Sequence, residues 1–81
     1  MKARVFVTLK STVLDPQGQT VRAALNGLGH SSIADVRQGK YFEIAIADGT
    51  TREAAQNEIE TIAHEVLANP VIEEYRVELL D

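Results

Sequence analysis

The sequence predicts an α+β fold in which two helices and four strands follow the order β-α-β-β-α-β. Three observations predict it: apolar residues alternate with period two near both ends of the chain, two segments have helical apolar spacing, and a β-rich stretch lies between them. The 81 residues correspond to one domain, residues 1–81. A core this small buries only about 60–65% of the unfolded surface, so oligomer formation would add stability.

The first strand covers residues 2–10, KARVFVTLK, and the first helix begins within VLDPQG at 13–18. Asp15 can cap this helix, and Pro16 suits its first position. Gly29 is expected to end it as a left-handed cap. The helix has an apolar stripe formed by Val21, Ala24, Leu25 and Leu28.

Gly18 is unexpected inside this helix, because glycine costs roughly 1 kcal/mol against alanine in a helix interior. Either the glycine is a purely local irregularity, or another backbone approaches the helix closely at that point. We expect the second, with the neighbouring backbone supplied by a partner or by another copy of the chain.

Two antiparallel strands, or one long bent strand, are predicted between Ile33 and Ala47, where IADVRQGKYFEIAIA is rich in β-branched and aromatic residues. The second helix is expected to begin at Thr50, which has capping-box spacing to Glu53, and Asn69-Pro70 is expected to end it. VIEEYRVELL then forms the last strand. This order is the ferredoxin-like pattern, a four-stranded antiparallel sheet with both helices on one face.

The face of the sheet away from the helices is expected to mix aromatic and charged side chains. Two interpretations stay open for it: a solvated face, which is common in antiparallel sheets, and a contact between copies of the chain. Alternation along the strands places there Arg4, Phe6, Thr8, Lys10, Tyr41, Glu43, Arg76 and Glu78.

Composition argues against several classes of partner. Twelve acidic against eight basic residues give a net charge of −4, and the basic residues never cluster, so nucleic acid and anionic membranes are not expected partners. The chain has no cysteine, and its charged N-terminus does not read as a secretion signal or a membrane span, so a cytoplasmic location is expected.

No catalytic, cofactor-binding or metal-binding site is predicted. The first loop lacks the soft ligands of a metal carrier, and Asp15 in that loop would repel a phosphate. His64 is expected on a helix surface, and His30 beside a helix C-terminus, where a cation is favourable. The residues alone therefore indicate a small, acidic, oligomer-forming module without an active site.

Three segments together resemble a known family: VLDPQG at 13–18, VRQGK at 36–40 and LANPVIEEY at 67–75. They are similar to the PurS-type small subunit of phosphoribosylformylglycinamidine synthase over essentially the whole chain. The resemblance implies a role in purine biosynthesis, in the step that uses ATP, glutamine and water to convert formylglycinamide ribonucleotide to formylglycinamidine ribonucleotide, releasing ADP, phosphate and glutamate. It also implies a ferredoxin-like subunit of a glutamine-dependent ligase.

In that family the small subunit is non-catalytic and joins a synthetase large subunit, which uses ATP and magnesium, to a glutaminase subunit. The resemblance also implies self-association, as a homodimer or a tetramer. The alternative is a regulatory module that binds an amino acid or a nucleotide between two protomers. Residues of the three motifs expected at a partner or protomer interface are Asp15, Gln17, Gly18, Arg37, Gly39, Lys40, Asn69, Glu74 and Tyr75.

Overall fold

The computed structural model describes residues 1–81 and contains three strands and two α-helices. The sheet is antiparallel with the order β2-β1-β3, so the first strand is central. A π-helical turn, Ala63–Leu67, extends the second helix. The elements are β1 (Lys2–Leu9), α1 (Pro16–Gly27), β2 (Gly39–Ala45), α2 (Arg52–Ile62) and β3 (Glu73–Leu80).

The hydrophobic core lies between one face of the sheet and α2. Ala3, Val5 and Val7 of β1 are fully buried there, and Ile59 and Ala63 pack against them from the helical side. Half-buried apolar side chains of β2 and β3 surround this centre. The largest fully buried side chains are valines, so the core is small, as the chain length predicts.

The predicted caps of α1 are confirmed. Asp15 is the N-cap and accepts the Gly18 N–H at 2.9 Å, and Pro16 occupies the first turn. At the other end Gly29 has a φ of 100°, while its N–H donates to the Asn26 carbonyl and the His30 N–H donates to the Leu25 carbonyl. This pair of bonds is a Schellman motif, which satisfies carbonyls that the helix end leaves free.

The boundaries of α2 differ slightly from the prediction. Its N-cap is Thr51 rather than Thr50, and the Thr51 hydroxyl accepts the Ala54 N–H at 3.1 Å. The helical stretch ends at Ala68, whose backbone is extended, just before Asn69-Pro70 as expected. Neither helix is long and apolar enough to span a bilayer.

The prediction of four strands is wrong, and so is the alternative of one long bent strand. Residues 33–38 form no strand, and β2 begins only at Gly39. The reason is that the backbone of this segment contacts the start of α1. The Gln38 N–H donates to the Asp15 carboxylate at 2.7 Å, and the Val36 carbonyl lies directly over Gly18. These groups are therefore committed to the start of the helix rather than to a neighbouring strand.

The prediction that both helices cover one face of the sheet is also wrong. No side chain of α1 belongs to the core, and Gly18 is the only buried residue of the helix. With the segment that follows it, residues 29–38, α1 forms an arm that leaves the sheet. The radius of gyration is accordingly 16.2 Å, against about 12 Å expected for a compact chain of this length.

Candidate functional site at the mouth of the first helix

The three sequence motifs meet at the end of the sheet where the arm begins. We call this group of residues the helix-mouth cluster; it surrounds a shallow cavity of about 310 Å³ that is lined mainly by polar and charged residues. The cluster joins the loop after β1, the segment before β2 and the turn before β3. Its members are Asp15, Gln17, Gly18, Arg37, Gln38, Gly39, Lys40, Asn69 and Glu73.

Asp15 is the centre of the cluster, with only 4% of its surface exposed. Besides the capping bond to Gly18, its second oxygen accepts the Gln38 N–H from 23 residues further along the chain. The Gln38 N–H is the main reason that the pKa of Asp15 is lowered, and the Gly18 N–H and the nearby Arg37 charge act in the same direction. The carboxylate therefore stays ionised at neutral pH, with both oxygens occupied.

Gly18 is required by contact within the chain. A methyl group at this position would overlap the Val36 carbonyl oxygen, which belongs to backbone rather than to a flexible side chain. Close approach of a backbone was expected, but the expectation that a partner or another protomer supplies it is not needed to explain the glycine. Gly39 is in a similar position, because a side chain there would overlap the Val7 carbonyl oxygen of the adjacent strand.

Arg37 ties the base of the arm to the loop after β1. Its guanidinium donates to the carbonyl of Lys10 at 3.0 Å and to the carbonyl of Val13 at 2.9 Å. Next to it the Gln38 side-chain amide donates to the Gln17 side-chain oxygen at 2.8 Å. The two sides of the arm are thus joined by side chains as well as by the Asp15 carboxylate.

Lys40 ties β2 to the turn before β3. Its ammonium donates to the Leu67 carbonyl at 3.2 Å and lies 3.6 Å from a Glu73 carboxylate oxygen. The other Glu73 oxygen accepts the Asn69 N–H at 2.7 Å. Asn69 also caps the turn itself, since its side-chain oxygen accepts the Val71 N–H at 3.1 Å.

Two of the predicted site residues lie apart from the cluster. Glu74 is exposed on the opposite face of the sheet, and Tyr75 packs at the edge of the core with its ring 6.2 Å from that of His64. Two members of the cluster, Gln38 and Glu73, were not among the predicted interface residues. Alternation along β3 places Glu73 and Glu74 on opposite faces of the sheet. Which of these two side chains lies beside Lys40 depends on the residue at which the strand starts.

The face of the sheet away from α2 has the composition that alternation predicts. The Phe6 ring lies 5.2 Å from the Tyr41 ring, and the Arg76 guanidinium lies 4.4 Å above Phe6. Lys2 and Glu43 form an ion pair at 2.8 Å, which is the main cause of the lowered pKa of Glu43. These side chains contact one another across strands, which is how the exposed face of a sheet is stabilised.

The polar groups of the helix-mouth cluster connect chain segments to one another. A general base needs a carboxylate or imidazole with a free lone pair facing a substrate, whereas the Asp15 oxygens both accept backbone N–H groups. Arg37 and Lys40 likewise bond to backbone carbonyls. The cluster fixes where the arm leaves the sheet and in which direction it points.

Comparison with known proteins assigns the chain to a family. A family model described as PurS, phosphoribosylformylglycinamidine (FGAM) synthase, matches residues 2–81. The chain belongs to the PurS family. Among its relatives is the phosphoribosylformylglycinamidine synthase subunit PurS of Mycobacterium leprae, which is 46% identical over 76 residues covering 94% of this chain and 91% of the relative. The subunit PurS of Bacillus subtilis is 40% identical, with coverage of 96% and 90%.

Solved PurS structures resemble this chain in fold as well as in sequence. The Bacillus subtilis PurS structure superposes with a TM-score of 0.88 at 39% identity, covering 99% of this chain and 98% of that one. A chain in the structure of PurLQS from Thermotoga maritima gives a TM-score of 0.86 at 30% identity, with coverage of 98% and 95%. The family, the purine-biosynthetic role and the membership of a glutamine-dependent ligase that the resemblance implied are therefore confirmed.

Proposed function

We propose that the chain is a non-catalytic assembly subunit that joins the glutaminase and synthetase subunits of phosphoribosylformylglycinamidine synthase in the cytoplasm. The observation that carries the proposal is the helix-mouth cluster. Its charged groups bond to the backbone of three chain segments and so fix the direction in which the arm leaves the sheet. The similarity to a chain of Thermotoga maritima PurLQS supports it, because that name joins PurS with PurL and PurQ. ATP and magnesium are then used by the synthetase partner.

The proposed contact surface for these partners lies around the helix mouth. Gln17 and Lys40 expose part of their side chains there, Lys40 by 52%, while their neighbours in the cluster hold them in place. Glu74 is exposed on the other face of the sheet and would meet a different partner surface. A subunit that presents two separate polar surfaces from one small sheet can contact two larger subunits at once.

A ligand-binding regulatory function has less support from this geometry. The helix-mouth cavity is lined by charged groups that could bind a ligand, but the Asp15 carboxylate and the Lys40 ammonium already have partners within the chain. A small ligand would have to displace those bonds before it could be recognised. We therefore favour the assembly function.

Reconstitution tests the proposal directly. The matching synthetase and glutaminase subunits are mixed with ATP, magnesium, glutamine and formylglycinamide ribonucleotide, with and without this chain. We expect glutamine-dependent product formation to fall at least tenfold when the chain is omitted, while synthesis from added ammonia is retained because the synthetase site is intact. Equal glutamine-dependent rates in the two mixtures would contradict the proposal.

We further propose that the chain works as a homodimer, or as a tetramer built from such dimers. Seven large hydrophobic side chains are substantially exposed, among them Leu14 at 66% and Leu28 at 76%. Covering them would add burial that the small core lacks. Light scattering at micromolar concentration is expected to give at least twice the mass of one chain, and a mass of one chain would exclude the dimer.

A further inference from the structure

The face of the sheet away from α2, which we call the open face, holds a cation without a partner. The face is centred on Arg4, Phe6, Tyr41, Glu43, Arg76 and Glu78. Arg4 lies on the central strand between Glu43 of β2 and Glu78 of β3, where opposite charges usually pair. Its guanidinium nevertheless forms no ion pair, and its Nε is buried without a hydrogen-bond partner. Such a group in a folded chain requires an explanation.

Glu43, opposite Arg4 on β2, is engaged by two other side chains. The Lys2 ammonium lies 2.8 Å from one oxygen of the Glu43 carboxylate, and the Tyr41 hydroxyl donates to the other oxygen at 3.0 Å. Both side chains lower the pKa of Glu43 more than the charge of Arg4 does. The carboxylate is thus occupied without Arg4.

Glu78, opposite Arg4 on β3, is engaged by Arg76. The Arg76 guanidinium donates to a Glu78 oxygen at 2.5 Å and also lies 4.4 Å above the Phe6 ring. Arg76 is therefore held by a carboxylate and an aromatic ring within its own chain. Arg4 is left with donors that no neighbouring side chain accepts.

Charge decides what kind of group this part of the open face accepts. Three cations, Lys2, Arg4 and Arg76, share two carboxylates there, although the chain as a whole has a net charge of −4. The unpaired cation is a guanidinium, whose planar fork of donors matches the two oxygens of a carboxylate. The complementary group is therefore a carboxylate of a partner protein.

The surroundings of Arg4 have the residue types that dominate binding at protein interfaces, namely arginine and aromatic residues. Phe6 follows Arg4 on the same side of β1, and its ring lies 5.2 Å from that of Tyr41, which is 51% exposed. A hollow of about 440 Å³ lies beside Phe6. It is lined by Phe6, Thr8, Glu74, Tyr75 and Arg76. The open face thus combines an unpaired cation with room for a side chain of a partner.

A contact with a different protein fits the open face better than a contact between copies of the chain. Permanent contacts between identical subunits are mainly apolar. Of the seven large hydrophobic side chains that are substantially exposed, only Tyr41 lies on the open face. The other six are Leu14, Val21, Leu28, Val66, Val71 and Ile72. Self-association that covers apolar surface therefore leaves the open face for another partner.

We propose that the open face docks an acidic surface segment of one larger subunit of the synthase. Arg4 binds a carboxylate of that segment through its forked donors, and a neighbouring side chain of the segment fills the hollow beside Phe6. The inference rests on the proposed assembly function. It specifies the second of the two polar surfaces, on which Glu74 lies, and the chemistry of the group that meets it.

Arg4→Met tests the docking, because it removes the guanidinium and keeps an unbranched side chain. Binding of wild type and variant to the synthetase subunit and to the glutaminase subunit is measured separately by biolayer interferometry. We expect the Kd for one of the two subunits to rise by about tenfold or more, while the Kd for the other is unchanged. The affinity that is lost should also be the one that weakens more steeply with added salt in wild type than in the variant.

Two further variants make the result specific to the Arg4 fork. Arg52→Met removes the same charge from α2, on the other side of the sheet, where Arg52 pairs only with the exposed Asp81; both affinities should stay at the wild-type value. Arg4→Lys keeps the charge without the fork, so its loss of affinity should lie between those of wild type and Arg4→Met. Since the Arg4 Nε has no partner in the chain, Arg4→Met should not lower stability in urea.

The outcomes separate the docking from the assembly function. An Arg4→Met chain that binds both subunits as wild type does overturns the docking and leaves the assembly function standing. A lower mass of Arg4→Met than of wild type in light scattering also overturns it, because the contact then lies between copies of the chain. So does a loss of stability that accounts for the loss of binding. A wild-type chain that binds neither subunit and does not support glutamine-dependent synthesis overturns the assembly function itself.

Discussion

Gly18→Ala is expected to lower the free energy of unfolding by about 1–3 kcal/mol, the range typical of overfilling a well-packed interior. The new methyl group would overlap the Val36 carbonyl oxygen. That carbonyl cannot retreat easily, because Arg37 and Gln38 beside it are bonded to Val13 and Asp15. The propensity of alanine for helices recovers at most about 1 kcal/mol of the loss.

Gly27→Ala in the same helix is the matched control. Nothing lies within 4 Å of the methyl group that it would add, so the better helix propensity is expected to leave the chain unchanged or up to about 1 kcal/mol more stable. Urea unfolding of both variants at one fixed protein concentration makes the comparison, since dimer stability depends on concentration. Equal stability of the two variants would show that the segment over Gly18 yields to the methyl group.

The features that sequence predicted correctly are those decided by neighbouring residues. Asp15, Pro16 and Gly29 act within one turn of a helix end, so their residue types are sufficient to place them. The alternation in β1 and β3 likewise follows from which side chains face the core. The N-cap of α2 was misplaced by one residue because Thr50 and Thr51 are both suitable caps, and only the bond to Ala54 distinguishes them.

The features that sequence missed depend on contacts between distant parts of the chain. Ile33 and Val36 have the composition of a strand, yet a strand needs a partner edge, and the Asp15 bond to Gln38 takes this segment to the helix mouth. The sequence predicted Asp15 as a helix cap, but it did not predict that the second oxygen of Asp15 accepts a hydrogen bond from 23 residues further along the chain. The acceptor, the Asp15 carboxylate, could be predicted from its residue type. The donor could not, because it is a backbone N–H, which every residue except proline has.

That second bond makes Asp15 a determinant of acid stability. Its pKa is lowered in the folded chain, chiefly by the Gln38 N–H, from an ordinary value of 3.8. A group with a lowered folded pKa contributes stability that is complete above its unfolded pKa and is lost as pH falls through its folded pKa. The arm is therefore expected to be held fully at neutral pH and to loosen only well below pH 4.

Asp15→Asn isolates this contribution. The amide keeps one oxygen to accept the Gly18 N–H but presents an NH₂ group to the Gln38 N–H, so a repulsive pair of donors replaces a charge-assisted bond. We expect the Tm to fall by roughly 5–10 °C at pH 7. The difference from wild type should shrink as the pH falls below 3.8 and through the lowered folded pKa, because the unfolded wild-type chain then binds a proton at Asp15 before the folded chain does.

Two comparisons make the measurement specific to Asp15. Glu43 also has a lowered pKa, mainly through Lys2, and its contribution is present in wild type and in Asp15→Asn alike, so it cancels from the difference in Tm. Asp35→Asn removes an exposed carboxylate from the same arm and is expected to leave the Tm unchanged. A difference in Tm between wild type and Asp15→Asn that is constant from pH 7 to pH 2 would show that the carboxylate charge does not hold the arm.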